Sequence, residues 1–215
     1  MEFWLYLHIL LLVFWVGTDL GVFLAARYSE RSDLSVESRQ VVLELGMKLD
    51  RLPRTALVLI IPSGVMLASG AGLVLLDGLA TTALWGFALI WLAILWRGFL
   101  SISPAVQAQS AKINWWLNLA AAILTLLWAV MLFLSGSAPM WLILKIAIVG
   151  GIFVVGFLLD FLFGPAMGLF AQVCAEPSRS DLNADYGKAL VPVYWTVIAI
   201  YVLALAAAAL GVFKI

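Results

Sequence analysis

The stretch MWLILKIAIVGGIFVVGFLLDFLF, residues 140–163, decides the fold. Only two of its side chains can ionise, Lys145 and Asp160. As a helix rising ~1.5 Å per residue it is long enough to cross ~30 Å of hydrocarbon. Comparable apolar runs cover residues 3–27, 55–76, 81–100, 115–134 and 190–213, and residues 139–163 complete a set of six. The chain is therefore expected to be an all-α polytopic membrane protein, one membrane domain over residues 1–215.

Composition agrees. Of the residues, 65% are hydrophobic and 11% charged, against roughly a quarter charged in soluble domains. Net charge is zero, and the basic residues follow membrane side rather than forming a groove, so no nucleic-acid partner is expected. One cysteine, Cys174, leaves no internal disulfide and no multi-thiolate metal site. The opening MEFWLYLHILLLVFW lacks a basic region and a small-residue cleavage site, and is expected to be a retained first helix.

Lysine and arginine set the orientation. Arg27, Arg31, Arg39, Lys48, Arg51, Arg54, Arg97, Lys112, Arg179 and Lys188 fall on one side of the six-span arrangement, and Lys214 on the other. The positive-inside rule makes the connections after spans one, three and five cytoplasmic and puts both termini outside. A bacterial inner membrane is the expected location. The polar stretch 33–52 carries Val41, Val42, Leu45, Leu49 and Leu52 at helical spacing, which predicts an amphipathic helix lying along the inner leaflet. Residues 101–114 and the stretch between spans five and six read as loops.

The tetrapeptide RSDL occurs at residues 31–34 and 179–182. In both copies the aspartate, Asp33 or Asp181, is expected as a helix N-cap, with Glu37 or Asp185 in the first turn. Gly17 and Gly21 on the first helix, and Gly150, Gly151 and Gly156 on the fifth, are expected to allow close helix approach.

Ionisable groups inside spans are costly and mark candidate sites. Four stand out: His8, Asp19, Lys145 and Asp160. His8 and Lys145 lie at similar depth, roughly 8–9 Å below the outer ends of parallel helices. Asp19 follows His8 by three turns on nearly the same face, and Trp15 lies on that stripe. Two readings of His8 stand side by side, a histidine bonded to a neighbouring helix and an axial ligand to haem iron. Lys145 either snorkels outward or lines a polar pocket beside His8. Asp160 is expected to pair with an inner-side arginine.

Two stretches carry a family resemblance. LHILLLVFWVGTDLGVF with MKLDRLPRTALVLIIPSGVMLASG resembles the beginning of the HemJ-type protoporphyrinogen oxidases and CopD-like membrane proteins. MWLILKIAIVGG and LVPVYWTVIAIYVLALAAAALG resemble the family's lysine-bearing and last helices. The resemblance implies a four-helix core over residues 3–27, 55–76, 139–163 and 190–213, with residues 78–138 as an added hairpin. It further implies haem b on His8, with Trp15 a cofactor contact, Lys145 an essential lysine, and Asp50 and Arg51 the acid–arginine element before Pro62. Asp19 lies outside the family pattern and is expected to relay protons. Arg54 and Asp160 complete the polar candidates.

Three functions follow from these features: a haem-binding redox protein, a non-catalytic subunit or assembly factor of a larger membrane complex, and a small copper or solute transporter. Ten tryptophans suit large lateral contacts, as in a homo-oligomer or larger complex within the lipid bilayer.

Overall fold

The computed structural model describes residues 1–214 and contains seven helices there: α1 (Glu2–Ser29), α2 (Val36–Leu49), α3 (Arg51–Gly70), α4 (Gly78–Leu100), α5 (Pro104–Ser135), α6 (Met140–Ala175) and α7 (Ser180–Phe213). No strand occurs among the described residues. Six helical segments are long and apolar enough to cross a membrane, α2 and α3 counting as one. The protein is an all-α polytopic membrane protein.

The crossing helices form a ring in chain order: α1 packs on α3, α3 on α4, α4 on α5, α5 on α6, α6 on α7, and α7 closes on α1. Two of the four apolar clusters lie where α3 and α6 meet the other crossing helices. Leu11, Trp15, Ala56, Ile60, Ile152, Ile200 and Ala204 join α1, α3, α6 and α7. Val58, Ala88, Trp91, Leu95, Ala121, Ala122 and Phe153 join α3, α4, α5 and α6. α3 and α6 are common to both, so the α4–α5 hairpin shares two walls with the α1/α3/α6/α7 group.

Several helices are longer than the sequence suggests. α6 has 36 residues and α7 has 34, so at ~1.5 Å per residue each exceeds 50 Å, well beyond the ~30 Å hydrocarbon core. Much of the connection expected between spans five and six is therefore helix. Ala166, Phe170 and Val173 on α6 interlock with Leu182, Tyr186, Leu190 and Val193 on α7, and Ala26 of α1 and Leu43 of α2 join them. This spacing of three and four residues is a helical seam, and it carries α6 through Pro165. The expected loop 101–114 is likewise mostly helix, because α5 begins at Pro104, whose missing N–H costs nothing at a helix start. In the other direction α3 stops at Gly70, so residues 71–76 of the expected second span are not helical.

α2 packs along α1. It runs antiparallel to the last turns of α1, with Leu49 near Gly21, Gly46 against Ala25, and Arg39 bonded to Ser29. The approach is close enough that a Cβ on Gly46 would stand 2.6 Å from that of Ala25. The apolar residues Val41, Leu45 and Leu52 of the expected membrane stripe face outward, while Arg39, Leu43 and Gly46 face the bundle. Arg39 is 2% exposed. Its Nε donates to the Ser29 carbonyl at 2.6 Å and its Nη1 to Asn183 Oδ1 at 2.8 Å, with the guanidinium over Phe170.

The RSDL copies share one local structure, but it is not the expected cap. In each, the arginine grips the aspartate two residues later through two nitrogens, Arg31 on Asp33 and Arg179 on Asp181. An aspartate so engaged is no longer free to cap. Ser35 caps α2 instead, accepting from the Ser38 N–H, and Arg179 occupies the N-cap position of α7. Arg31 also holds the exposed Asp33 carboxyl below the usual carboxylate range. Glu37 does lie in the first turn of α2, whereas Asp185 lies beyond that of α7 and pairs with Lys188 at 3.1 Å.

Candidate functional site

Polar groups collect in two layers, separated by the apolar cluster of Leu11, Trp15, Ala56, Ile60, Ile152, Ile200 and Ala204. One layer lies toward the face holding the arginine-rich connections, here called the basic face. The other lies toward the far face.

The far-face layer holds His8 and Lys145. Ser63, fully buried on α3, donates its hydroxyl hydrogen to the Ile60 carbonyl at 2.9 Å. Its oxygen lies 3.1 Å from His8 Nδ1. A hydroxyl has one hydrogen, so with that hydrogen on Ile60 the serine accepts from His8. With the serine accepting, the neutral imidazole carries its proton on Nδ1 and Nε2 keeps a free lone pair; with the serine donating to Nδ1, the proton sits on Nε2. The ring packs against α3 where a Cβ on Gly64 would come within 2.9 Å of Cε1. Glycine at 64 is what lets the imidazole sit there.

Lys145 extends from α6 to α7, where a Cβ on Gly211 would come within 2.7 Å of Nζ. Its ammonium has no hydrogen bond or ion pair among the described residues, although it lies within electrostatic range of the imidazole. In the Nδ1–H tautomer the layer thus offers one unclaimed lone pair and one unpaired cation on helices that enclose the same core.

The layer toward the basic face is crowded and mutually satisfied. Arg54 on α3 donates Nε to Asp50 at 2.6 Å, and Nη2 and Nη1 to Asp160 on α6 at 3.0 and 3.4 Å. Asn114 on α5 extends the chain, donating to Asp160 at 3.4 Å and accepting from Trp91 Nε1 on α4 at 2.9 Å. This ladder ties α3, α4, α5 and α6 together. Asp160 pairs with Arg54, an inner-side arginine, as expected. Asp19 lies beside this group, within electrostatic range of Asp50 and Arg54, and faces the phenol of Tyr201 just outside hydrogen-bond geometry.

Other candidates are placed apart. Arg51 turns away from the ladder and stacks on Phe99, 5.7 Å from the ring centroid. Trp15 is buried in the apolar layer, two turns below His8. Asp19 lies eleven residues, about 16 Å, from His8 along α1, with that apolar layer between. Gly150 approaches α5 closely, at Thr125 and Leu126, and Gly21 meets Leu49; a Cβ at Gly17 or Gly156 would meet nothing. Among the described residues no three His, Cys, Asp or Glu side chains gather in a metal-binding group.

Reasoning from sequence missed Ser63, Asn114, Trp91 and Tyr201. Asn114 and Asn118 are buried amides one turn apart on α5, a signal visible once residues 104–114 are read as helix.

Fold and layers define a polytopic helical membrane protein with a half-buried histidine–lysine layer. Compared with known proteins, the chain matches no family model, no curated protein and no solved structure.

Proposed function

We propose that the protein is a haem-binding redox protein of bacterial inner-membrane type, similar to the HemJ-type oxidases, with both termini on the outer side. The observation that carries the reading is the contact chain from His8 Nδ1 to Ser63 to the Ile60 carbonyl, which in the Nδ1–H tautomer leaves the Nε2 lone pair unclaimed. A ligating histidine needs that state, because its second nitrogen must be fixed by a donor contact while the first binds metal. The donor set would suit one-histidine ligation of haem b through His8; with no second histidine in the sequence, any further ligand would be another residue, water or a partner.

When bound, haem would supply one-electron redox chemistry. This chain's residues would do the rest. His8 would hold iron through Nε2 while Ser63 fixes the ring plane. Lys145, with no counter-ion among the described residues, would pair with an acidic substituent of a tetrapyrrole or accept a proton from it. The role of Asp19 would then be proton exchange on the basic side, because the apolar layer leaves it remote from His8.

The ladder of Asp50, Arg54, Asp160 and Asn114 favours a second reading, a non-catalytic membrane subunit whose buried charges organise helices. An absorption spectrum of the purified protein separates the two. The redox reading expects a Soret band that disappears in His8→Ala. A colourless protein with full helical circular dichroism would leave the subunit reading.

A further inference from the structure

The basic face carries a feature unrelated to the histidine–lysine layer. Between α2, the start of α5 and the last turns of α6 lies an open groove of about 730 Å³. Met47, Met167 and Phe170 give it an apolar floor, and Lys48, Arg51 and Glu44 bring charge to its walls. The charges do not balance. Neither Lys48 nor Arg51 forms an ion pair or donates a hydrogen bond among the described residues; Arg51 only covers the ring of Phe99. Glu44 is approached by Gln40 at 3.5 Å. The groove therefore has two uncompensated cations against one carboxylate.

Its position narrows the occupant. The cations stand at the turn from α2 into α3, on the face that holds the arginine-rich connections. Of the apolar floor, Met47 belongs to α2, and Met167 and Phe170 to the last turns of α6, which at 36 residues is longer than a crossing needs. A groove at that level, with cations beside an apolar floor, matches an amphiphile having a negative head and hydrocarbon tails, and basic pockets between helices at the membrane surface hold such head groups. Methionine suits a floor that must follow mobile acyl chains, because its side chain adapts to irregular surfaces.

We propose that this groove binds an anionic phospholipid, its phosphate between Lys48 and Arg51 and its acyl chains over Met47, Met167 and Phe170. The bilayer supplies this ligand. A zwitterionic lipid brings its own cation and leaves the protein's charges unanswered. The proposal is independent of the haem reading, because no groove residue lies in the far-face layer.

The test is native mass spectrometry of the purified full chain, titrated with phosphatidylglycerol or phosphatidylcholine of matched acyl chains. Retention of phosphatidylglycerol should exceed that of phosphatidylcholine, and Lys48→Gln/Arg51→Gln should lower phosphatidylglycerol affinity about tenfold or more, each cation near a membrane surface contributing several-fold. Lys112→Gln, an exposed cation outside the groove, should change nothing. Glu44→Gln should strengthen binding, and it keeps the proposal testable if the double variant fails to fold. Equal retention of the two lipids, an unaltered preference in the double variant, weaker binding by Glu44→Gln, or displacement of the lipid by inorganic phosphate alone would overturn it.

Discussion

A single hydroxyl hydrogen organises the far-face layer. If Ser63 spends it on Ile60, His8 donates through Nδ1, and Ser63→Ala should release the ring. Haem affinity, read by Soret titration, should then fall about 10–100-fold, the range for loss of a contact behind a metal ligand, with helical content unchanged. The glycines make a second contrast. Gly211→Ala places its methyl against the mobile end of Lys145, which can swing away, so stability should change little. Gly46→Ala drives a methyl into Ala25 and towards the α1 backbone, where nothing can move cheaply. It should cost about 1–3 kcal/mol, seen as a lower melting temperature in detergent. Equal effects of the two would contradict the geometry.

Among elements, α3 and α6 depend on the Asp50–Arg54–Asp160 ladder. Arg54 serves two carboxylates, so Arg54→Gln leaves both uncompensated, while Asp160→Asn removes one acid and keeps a hydrogen-bonding group. Thermal unfolding should therefore show Arg54→Gln as the more damaging, by about 1–3 kcal/mol; fully buried pairs cost about 3–5, but these side chains remain 16–29% exposed. Sequence alone exposed the apolar spans, because each contains a long run with almost no charge. The helical extensions were harder to read, since Pro165, the nearby glycines and the polar residues after Ala175 resemble loop composition. Their seam of residues 166, 170 and 173 against 182, 186, 190 and 193 was present in the sequence, but it gains meaning only when both strips are known to meet. The RSDL copies misled for a similar reason. Spacing shows that Asp33 can cap a helix, but not that Arg31 claims it first.

For the whole molecule, six crossings put the connections after α1, α4 and α6 on one face. Positive-inside sidedness would make that face cytoplasmic. In a Cys174→Ala background, Ser137→Cys, in the exposed turn between α5 and α6, should react with a membrane-impermeant maleimide on intact spheroplasts. Ser32→Cys, beside the first RSDL aspartate, should react only after permeabilisation. The reverse pattern would invert the protein. Helix number was legible because it depends on apolar length; which helices touch was not, because equal depth leaves each helix's rotation free. Rotation is what brings His8 to Ser63 and turns Arg51 away from Asp160.

The central claim is that His8, with its proton held at Nδ1, offers Nε2 to haem iron. The most direct measurement is the visible absorption spectrum of protein purified from cells supplied with haem precursors, beside His8→Ala and Ser63→Ala. The account predicts a Soret band in the native protein, a weakened one in Ser63→Ala and none in His8→Ala. A folded native protein without a Soret band, or one whose band survives His8→Ala unchanged, would contradict it.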